Sequence, residues 1–341
     1  MKNLTRRLVL LAAGVAVAAS TFALPPAFAQ DADKPFAGKT FRLIVPHSAG
    51  RGLDSYARMI APYIVKHSGA EGIQVENMVG AASVIGNNAM WSSAPDGLTM
   101  SFTAMPSVIL ADLSGNEGVQ YKIDEITYLG RSSSQPRLFL VGKNSTIKSA
   151  EELKTLDRPF IYPVQGTDED FYIINTFADA IGLKLALVTG YEGASDSNLS
   201  VFNGDTDGVL LAPSTAAAII EAGDFVPLMS MTSERLPAYP DVPAVTEIAG
   251  SDNAALNAMI AVLSLDRGFL APPGMDEATT AALRKVMDAV HTDPELIAQA
   301  EKVRLPIMYE NGADVEAKID AIYKASDVVV PALETARKRL E

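Results

Sequence analysis

The sequence predicts an α/β fold of mixed or parallel sheets flanked by helices, with spacing that allows two lobes. Three observations carry this. Short apolar runs alternate with segments of helical period through most of the chain, the pattern of sheets with crossover helices. The alternation comes in two sets, separated by the small polar stretch Ser132-Ser133-Ser134-Gln135-Pro136. About 310 residues remain after an N-terminal leader, a length that usually makes two domains.

In order, residues 41–45 form the first strand. From Leu53 the apolar residues Leu53, Tyr56, Ala57, Ile60, Ala61 and Ile64 recur at helical spacing, and Asp54 and Arg58 stand four apart, placed to pair. Residues 73–76 read as a second strand, 83–91 as a short helix and 98–103 as a third strand, after the turn Pro95-Asp96-Gly97. The second set begins with a strand at 138–141, a helix start at 149–154 and a strand at 160–164. A polar loop, Gln165-Gly166-Thr167-Asp168, leads into a helix running to Ala180. Strands at 185–188, 209–211 and 225–229 follow, then a further strand at 260–265. Helices at 276–291 and 315–340 close the chain. If the chain leaves lobe one near Ser132 and returns near Met259, the lobes are 30–133, 134–259 and 260–341, with the first discontinuous; receptors that close around a ligand are built this way.

The N-terminus sets the compartment. Lys2, Arg6 and Arg7 precede an apolar run, and Ala27-Phe28-Ala29 offers small residues for cleavage, so 1–29 reads as a secretory signal peptide cleaved near Ala29. Ser20, Thr21 and Pro25-Pro26 interrupt the run, which falls short of a membrane span. Thr5-Arg6-Arg7 leaves general and twin-arginine export both open. Loss of the leader shifts the formal charge from −13 to −16, because it removes three basic residues and no acidic one. That balance excludes nucleic acid and anionic lipid as expected partners. The absence of cysteine removes disulfides and thiolate metal sites, and His47, His67 and His291 are too scattered for a zinc site. No metal and no cofactor are expected.

The stretch 44–59, IVPHSAGRGLDSYARM, raises the question of chemistry. Gly50-Arg51-Gly52 with Glu76 further on resembles a dinucleotide fingerprint, but Ser55 stands where the third glycine is needed, and the chain is exported away from nicotinamide cofactors. No G-x-S-x-G elbow is present, since Gly80-Ala81-Ala82-Ser83 and Gly193-Ala194-Ser195 lack the required spacing. His67 and His291 are expected at helix ends facing solvent. Glu151-Glu152 and Glu169-Asp170 are expected on solvated faces, because adjacent helical residues point apart.

What remains is a grip for a small anion. In open α/β sheets ligands collect at the carboxyl ends of strands, and five small polar loops stand there: 47–54, 80–86, 105–107, 165–168 and 189–193. The candidate ligand contacts are His47, Ser48, Ala49, Gly50, Arg51, Gly52 and Asp54 in the first, Ser83 in the second, Met105 in the third, Gln165, Gly166, Thr167 and Asp168 in the fourth, and Tyr191 in the fifth. Arg51 is a candidate bidentate fork for a second anionic group.

These residues resemble a known family. Ile44-Val45-Pro46, the glycine loop and Asp54-x-x-Ala57-Arg58 are similar to the opening of the tripartite tricarboxylate transporter substrate-binding receptors, the Bug family. The resemblance continues through Val75-Glu76-Asn77, Gly80-Ala81, Ile85-Gly86, Ala94-Pro95-Asp96-Gly97, Gly166-Thr167 and Gly204-x-x-Asp207, to Arg235-Leu236-Pro237 with Pro240-Asp241-Val242-Pro243. It implies a monomeric periplasmic receptor of Venus-flytrap fold that takes a small carboxylate, aliphatic or aromatic, and delivers it to membrane permease subunits without catalysis. By position it implicates 48–52, Ser83, Gly166, Thr167, Asp168 and Asp207. The chain departs from the family at His47-Ser48-Ala49-Gly50-Arg51-Gly52, where Phe-x-x-Gly-Gly is usual, and at Ala82-Ser83-Val84, where small glycines are typical. It departs again at Tyr191-Glu192-Gly193, where Tyr-Lys-Gly is frequent. The alternatives are a receptor of another transport class or one coupled to a signalling sensor, and third a cofactorless periplasmic hydrolase.

Overall fold

The computed structural model describes residues 34–50, 52–191 and 194–340. The leader expected over 1–29 lies outside the described residues, as do Arg51, Glu192 and Gly193. Among the described residues no helix is long and apolar enough to cross a membrane.

The chain opens with β1 (Thr40–Val45), α1 (Gly52–Ser68), β2 (Gly72–Asn77), α2 (Val84–Trp91), β3 (Thr99–Ala104), α3 (Met105–Leu113) and β4 (Thr127–Ser133). It crosses to β5 (Leu138–Gly142), β6 (Phe160–Pro163), α4 (Glu169–Ile181), β7 (Leu185–Val188), α5 (Ala194–Asn203), β8 (Gly208–Leu211), α6 (Pro213–Glu221) and β9 (Phe225–Ser230). It ends with α7 (Val245–Ala249), α8 (Ala254–Leu263), β10 (Arg267–Ala271), α9 (Glu277–His291), α10 (Pro294–Lys302), β11 (Glu310–Asn311), α11 (Gly312–Lys324) and α12 (Ser326–Arg337).

Six strands form one sheet in the order β11-β4-β10-β3-β1-β2. β1 runs parallel to β2 and β3, and β10 runs antiparallel to β3 and β4. Leu43, Ile44 and Val45 are all buried, as expected of a parallel strand covered on both faces. The second lobe holds an antiparallel trio β8-β5-β9 and a parallel pair β6-β7. The Asp207 N–H donates to Ile161 O at 2.8 Å and stitches the two groups together. The fold is therefore α/β with mixed sheets, as expected.

On one face of the large sheet Phe41, Leu43, Tyr56, Phe102, Phe269 and Met287 form a core under α1 and α9. The core on the other face does not stop at the lobe boundary. Val108 and Ile109 of α3, Phe171, Ile174 and Phe177 of α4, Met259 and Val262 of α8, and Val329 and Leu333 of α12 belong to one buried cluster. The lobes are thus fused along an apolar seam on this side.

Several elements differ from expectation. The strand expected at 260–265 is the end of α8 and the turn after it. Asn253 caps the helix by accepting from the Leu256 N–H, and Leu256, Met259, Val262 and Leu263 fall on one buried stripe. A short apolar run cannot distinguish strand from buried helix by periodicity alone. The strand that re-enters the first sheet comes later, at β10. The helix start at 149–154 is a 3-10 turn, Glu151–Thr155. The helix expected over 315–340 is two, α11 and α12, broken at Ala325.

The two helix-end histidines are also not solvent-facing. His291 is buried, with Ser132 Oγ 2.7 Å from Nε2, Nδ1 2.8 Å from Met287 O, and the Tyr309 ring stacked at 4.4 Å. Burial pushes its pKa down to about 4. His67 Nε2 lies 2.7 Å from Asp293, beside Lys66.

Candidate functional site

The loops after β1 and β2 and the start of α3, which follows β3 directly, lie on the side of the first lobe that meets the start of α4. Proline ends β1, and the loop that follows is held from behind by α1. Asp54, in the first turn of α1 and buried, accepts from the Gly50 N–H at 2.8 Å, from Arg58 Nε at 2.9 Å and from Asn77 Nδ2 at 2.9 Å. Asn77 at the end of β2 also donates to His47 O at 2.9 Å and accepts from Arg58 at 2.8 Å. Burial works against the Asp54 charge, but the Arg58, Gly50 and Asn77 hydrogen bonds win and hold the carboxyl below its usual range. Asp54 thus shapes the loop, and the Gly50 amide is spent on it.

His47 Nδ1 lies 2.7 Å from Pro46 O. A carbonyl only accepts, so the contact places a proton on Nδ1. The same nitrogen is 3.2 Å from Ser83 Oγ. Ser83 ends a left-handed run in which Ala81, Ala82 and Ser83 have φ of 47°, 49° and 77°. Three such non-glycine residues in succession are strained. The run is fixed by Asn87 Nδ2 donating to Ser83 O at 2.9 Å and by the close approach of Gly86 to Pro46.

On the second lobe Asp168 caps α4 by accepting from the Phe171 N–H at 2.9 Å. Glu169 and Asp170 are drawn to Arg137 of the crossing segment, at 3.0 and 2.7 Å, and are largely withdrawn from solvent. Arg137 Nη1 donates to Gln135 O at 3.1 Å. The expectation that Glu169 and Asp170 form a solvated face is therefore wrong: the helix N-terminus is folded against the hinge, where Arg137 gathers both. Burial and the neighbouring Asp170 and Glu169 charges push Asp168 up to about 8. Burial also raises Asp170, to about 6, against the pull of Arg137. For Glu169 burial opposes ionisation, but Arg137 and the Ser107 hydroxyl outweigh it and lower its pKa. His47 is near enough for its positive charge, when protonated, to favour ionised Glu169.

The lobes touch where Ser107 Oγ donates to Glu169 Oε2 at 2.7 Å. Behind this contact, Gln135 spans the lobes: its Nε2 donates to Tyr56 Oη at 3.2 Å, and Ser214 Oγ donates to its Oε1. Asp266 accepts from Ser133 Oγ and from the Gln135 N–H.

The structure brings His47 and Ser83 of the first lobe towards the start of α4, which Asp168 caps, with Ser48, Ala49, Gly50, Gln165, Gly166 and Thr167 exposed on the flanking loops and Gly52 exposed at the start of α1. Gln165 Nε2 reaches Ser197 Oγ at 3.1 Å, and Tyr191 is half-buried after β7. Arg51, and with it the fork expectation, lies outside the described residues. Two expectations are corrected. Met105 is not in a loop: α3 starts at that residue, which turns its side chain into the core, while Ser107 two residues on meets Glu169. Asp207 stands at the start of β8, the end remote from the cleft, where Arg158 grips it at 2.6 and 2.7 Å and the Ile161 N–H donates to it at 2.7 Å. Arg137, Glu169, Gln135 and Asn77 were not singled out as site residues. An acidic triplet directly after a glycine loop, at a helix N-terminus, was the available signal.

A sequence profile described as "Tripartite tricarboxylate transporter family receptor" matches residues 56–333. The chain belongs to this family. Curated relatives of this receptor include BugT of Bordetella pertussis, 21% identical over 90% of this chain and 91% of its own. A UPF0065 protein of the same organism is 24% identical over 77% of this chain and 79% of its own. Among solved structures, a TctC solute-binding protein from Polaromonas superposes with a TM-score of 0.69 at 19% identity, over 87% of this chain and 98% of its own. MatC from Rhodopseudomonas palustris, solved with bound malate, gives 0.64 at 18% identity over 87% and 99%. An R. palustris protein solved with adipate gives 0.67 at 17% identity over 87% and 97%. The fold is that of the two-lobed periplasmic binding proteins, and the chain is a solute receptor.

Proposed function

We propose that this receptor is exported to the periplasm, captures a small organic carboxylate between its lobes, and passes it to the permease subunits of a tripartite transporter without chemical change. The observation that carries the reading is the meeting of His47, Ser83 and Ser107 of the first lobe with Glu169 of the second, at loops and helix starts that follow the strands. The lobes are taken as 30–133 with 260–341, and 134–259. The malate and adipate found in two structural relatives support a carboxylate as ligand.

The energetics suit capture and release. Hydrogen bonds to a charged group contribute about 1.5–3 kcal/mol each, and a helix N-terminus adds roughly 0.3–2 kcal/mol. Three or four donors offset desolvation and leave about −8 kcal/mol, a micromolar Kd.

A thermal-shift screen of the purified protein against mono-, di-, tri- and aromatic carboxylates tests this. A ligand at 100 times its Kd stabilises by about 2.7 kcal/mol. No shift with any carboxylate, or recovery of a bound ligand as a different compound, overturns the reading.

A further inference from the structure

The strand order leaves a second opening between the lobes, away from the candidate ligand loops. In the first lobe β3, β1 and β2 lie on one side of β10 and β4, and β11 lies on the other. In the second lobe β8 and β9 flank β5, the strand that the crossing segment enters. β6, which leads to α4, joins the β8 side through the Asp207 N–H and Ile161 O. The ligand loops therefore stand on the β3 and β6 side of the crossing. The segment leading into β11 and the segment leaving β9 stand on the other side, and there they enclose a groove of about 550 Å³. Pro306 and Met308 form the first-lobe wall, Leu236, Ala238 and Tyr239 the second-lobe wall, and Pro136 of the crossing segment joins them.

Both walls are stiff. The Met308 N–H donates to Ser132 O at 2.8 Å, and Pro306 O accepts from the buried Tyr56 hydroxyl at 3.0 Å. On the second lobe the Tyr239 N–H donates to Leu236 O at 2.9 Å, and Arg235 holds Glu247 at 2.8 Å and Pro240 O at 3.0 Å. Between these walls apolar side chains stay uncovered. Met308 is 49% exposed, Ala238 is exposed, and Leu236 and Tyr239 are half-buried.

We propose that this groove is a counter-cleft: it shuts as the ligand cleft opens, and Met308 packing against Leu236 and Tyr239 favours the open receptor when no ligand is bound. Two stiff lobes turning about a crossing segment bring one pair of edges together as the other pair parts. In the structure the ligand-side edges are joined by Ser107 and Glu169, and the groove stands open. Apolar surface gains by leaving water, so the empty receptor gains by turning the other way. The ligand then has to overcome that packing, which lowers its apparent affinity by the fraction of closed protein. The groove thus sets how readily the receptor closes without touching the ligand. The proposal rests on the receptor reading for the lobe motion alone; the ligand's chemistry does not enter, and its failure leaves the carboxylate reading standing.

The test reads the lobe positions directly and needs no ligand. The chain has no cysteine, so Val79→Cys after β2 and Leu199→Cys on α5, both exposed, carry one spin label on each lobe. Pulsed electron spin resonance on the purified, ligand-free protein gives the populations at short and long separation. Ala238→Trp wedges the groove and Met308→Ala removes its packing, and each is expected to raise the short-to-long ratio at least about fivefold. Urea melts of each variant check that unfolding stays cooperative, and Met308→Ala, which only removes exposed atoms, keeps the test standing if the tryptophan is not accommodated. An unchanged ratio in Met308→Ala, a shift toward long separation in either variant, or one separation common to wild type and both variants would overturn the proposal.

Discussion

Ser107 and Glu169 join the two lobes: the hydroxyl at the start of α3 donates to the carboxylate at the start of α4 at 2.7 Å. A hydrogen bond to a charged acceptor contributes about 1.5–3 kcal/mol, so it biases the lobes toward the closed arrangement. Ser107→Ala should lower apparent ligand affinity several-fold, because the closed, binding-competent fraction falls. Calorimetry with the ligand found by screening measures this. The apolar seam of α3, α4, α8 and α12 limits how far the lobes swing, so scattering should show only a small increase in the radius of gyration. Unchanged affinity would mean the contact does not govern closure.

Asp54 is predicted to be structural first and functional second. Its carboxylate satisfies the Gly50 N–H, Asn77 and Arg58 from a buried position. Asp54→Ala removes the acceptor of the Gly50 N–H, which is exposed and turns to water, and of one half-buried Asn77 hydrogen, and so costs about 0.5–1.5 kcal/mol for each hydrogen bond lost. Its pKa is lowered in the folded state, so its contribution is present above the unfolded value of about 4 and lost as pH falls through the folded one. Denaturant melts of wild type and Asp54→Ala should differ at pH 7 and converge in acid. A constant difference down to pH 2 would contradict the assignment.

Asp168 should behave in the opposite sense. A carboxyl held at about 8 in the folded protein keeps a proton that the unfolded chain has already released above about pH 4. Stability therefore declines as pH rises from about 4 to about 8. The groups that set the slope are Glu169 and Asp170 on the same helix and Arg137 in the segment crossing to β5. Asp168→Asn keeps an acceptor for the Phe171 N–H and removes the titration. It should flatten the decline and raise the melting temperature at pH 8 by at least about 2 °C, the scale of roughly 1 kcal/mol in a chain of this size. A melting temperature that falls at pH 8 would show that the charge is stabilising there.

The alternation of strands and helices was legible because each buried strand, such as Leu43-Ile44-Val45, is short, apolar and bounded by turn residues. The α1 stripe and its Asp54–Arg58 pair were legible for the same local reason. The acidic start of α4 was misread because its meaning depends on Arg137, 32 residues earlier, which folds back onto it. No spacing rule connects those positions. Met105 was misread because a residue after a strand is a loop residue only if the next helix does not begin at once. Asp207 shows the complementary limit: a position in a family pattern, Gly204-x-x-Asp207, holds the sheet seam through Ile161 and pairs with Arg158.

Gly86 carries the last prediction. It lies in the first turn of α2, and a Cβ there would stand 2.7 Å from Pro46 Cβ and 2.9 Å from Met78 O. Both are backbone-anchored atoms on the two loops that frame His47 and Ser83, so neither yields as a flexible side-chain tip would. Gly86→Ala gains helix propensity of just under 1 kcal/mol but forces α2 away from Pro46, with an overpacking cost of about 1–3 kcal/mol. The displacement falls on Ser83, whose left-handed conformation persists only while its surroundings hold it. The variant should therefore lose at least tenfold in ligand affinity while losing no more than about 2 kcal/mol of stability, measured by calorimetry and urea melts on the same preparation. Affinity that follows wild type while stability drops would show that the left-handed run and its hydroxyl are not part of the ligand's contact surface.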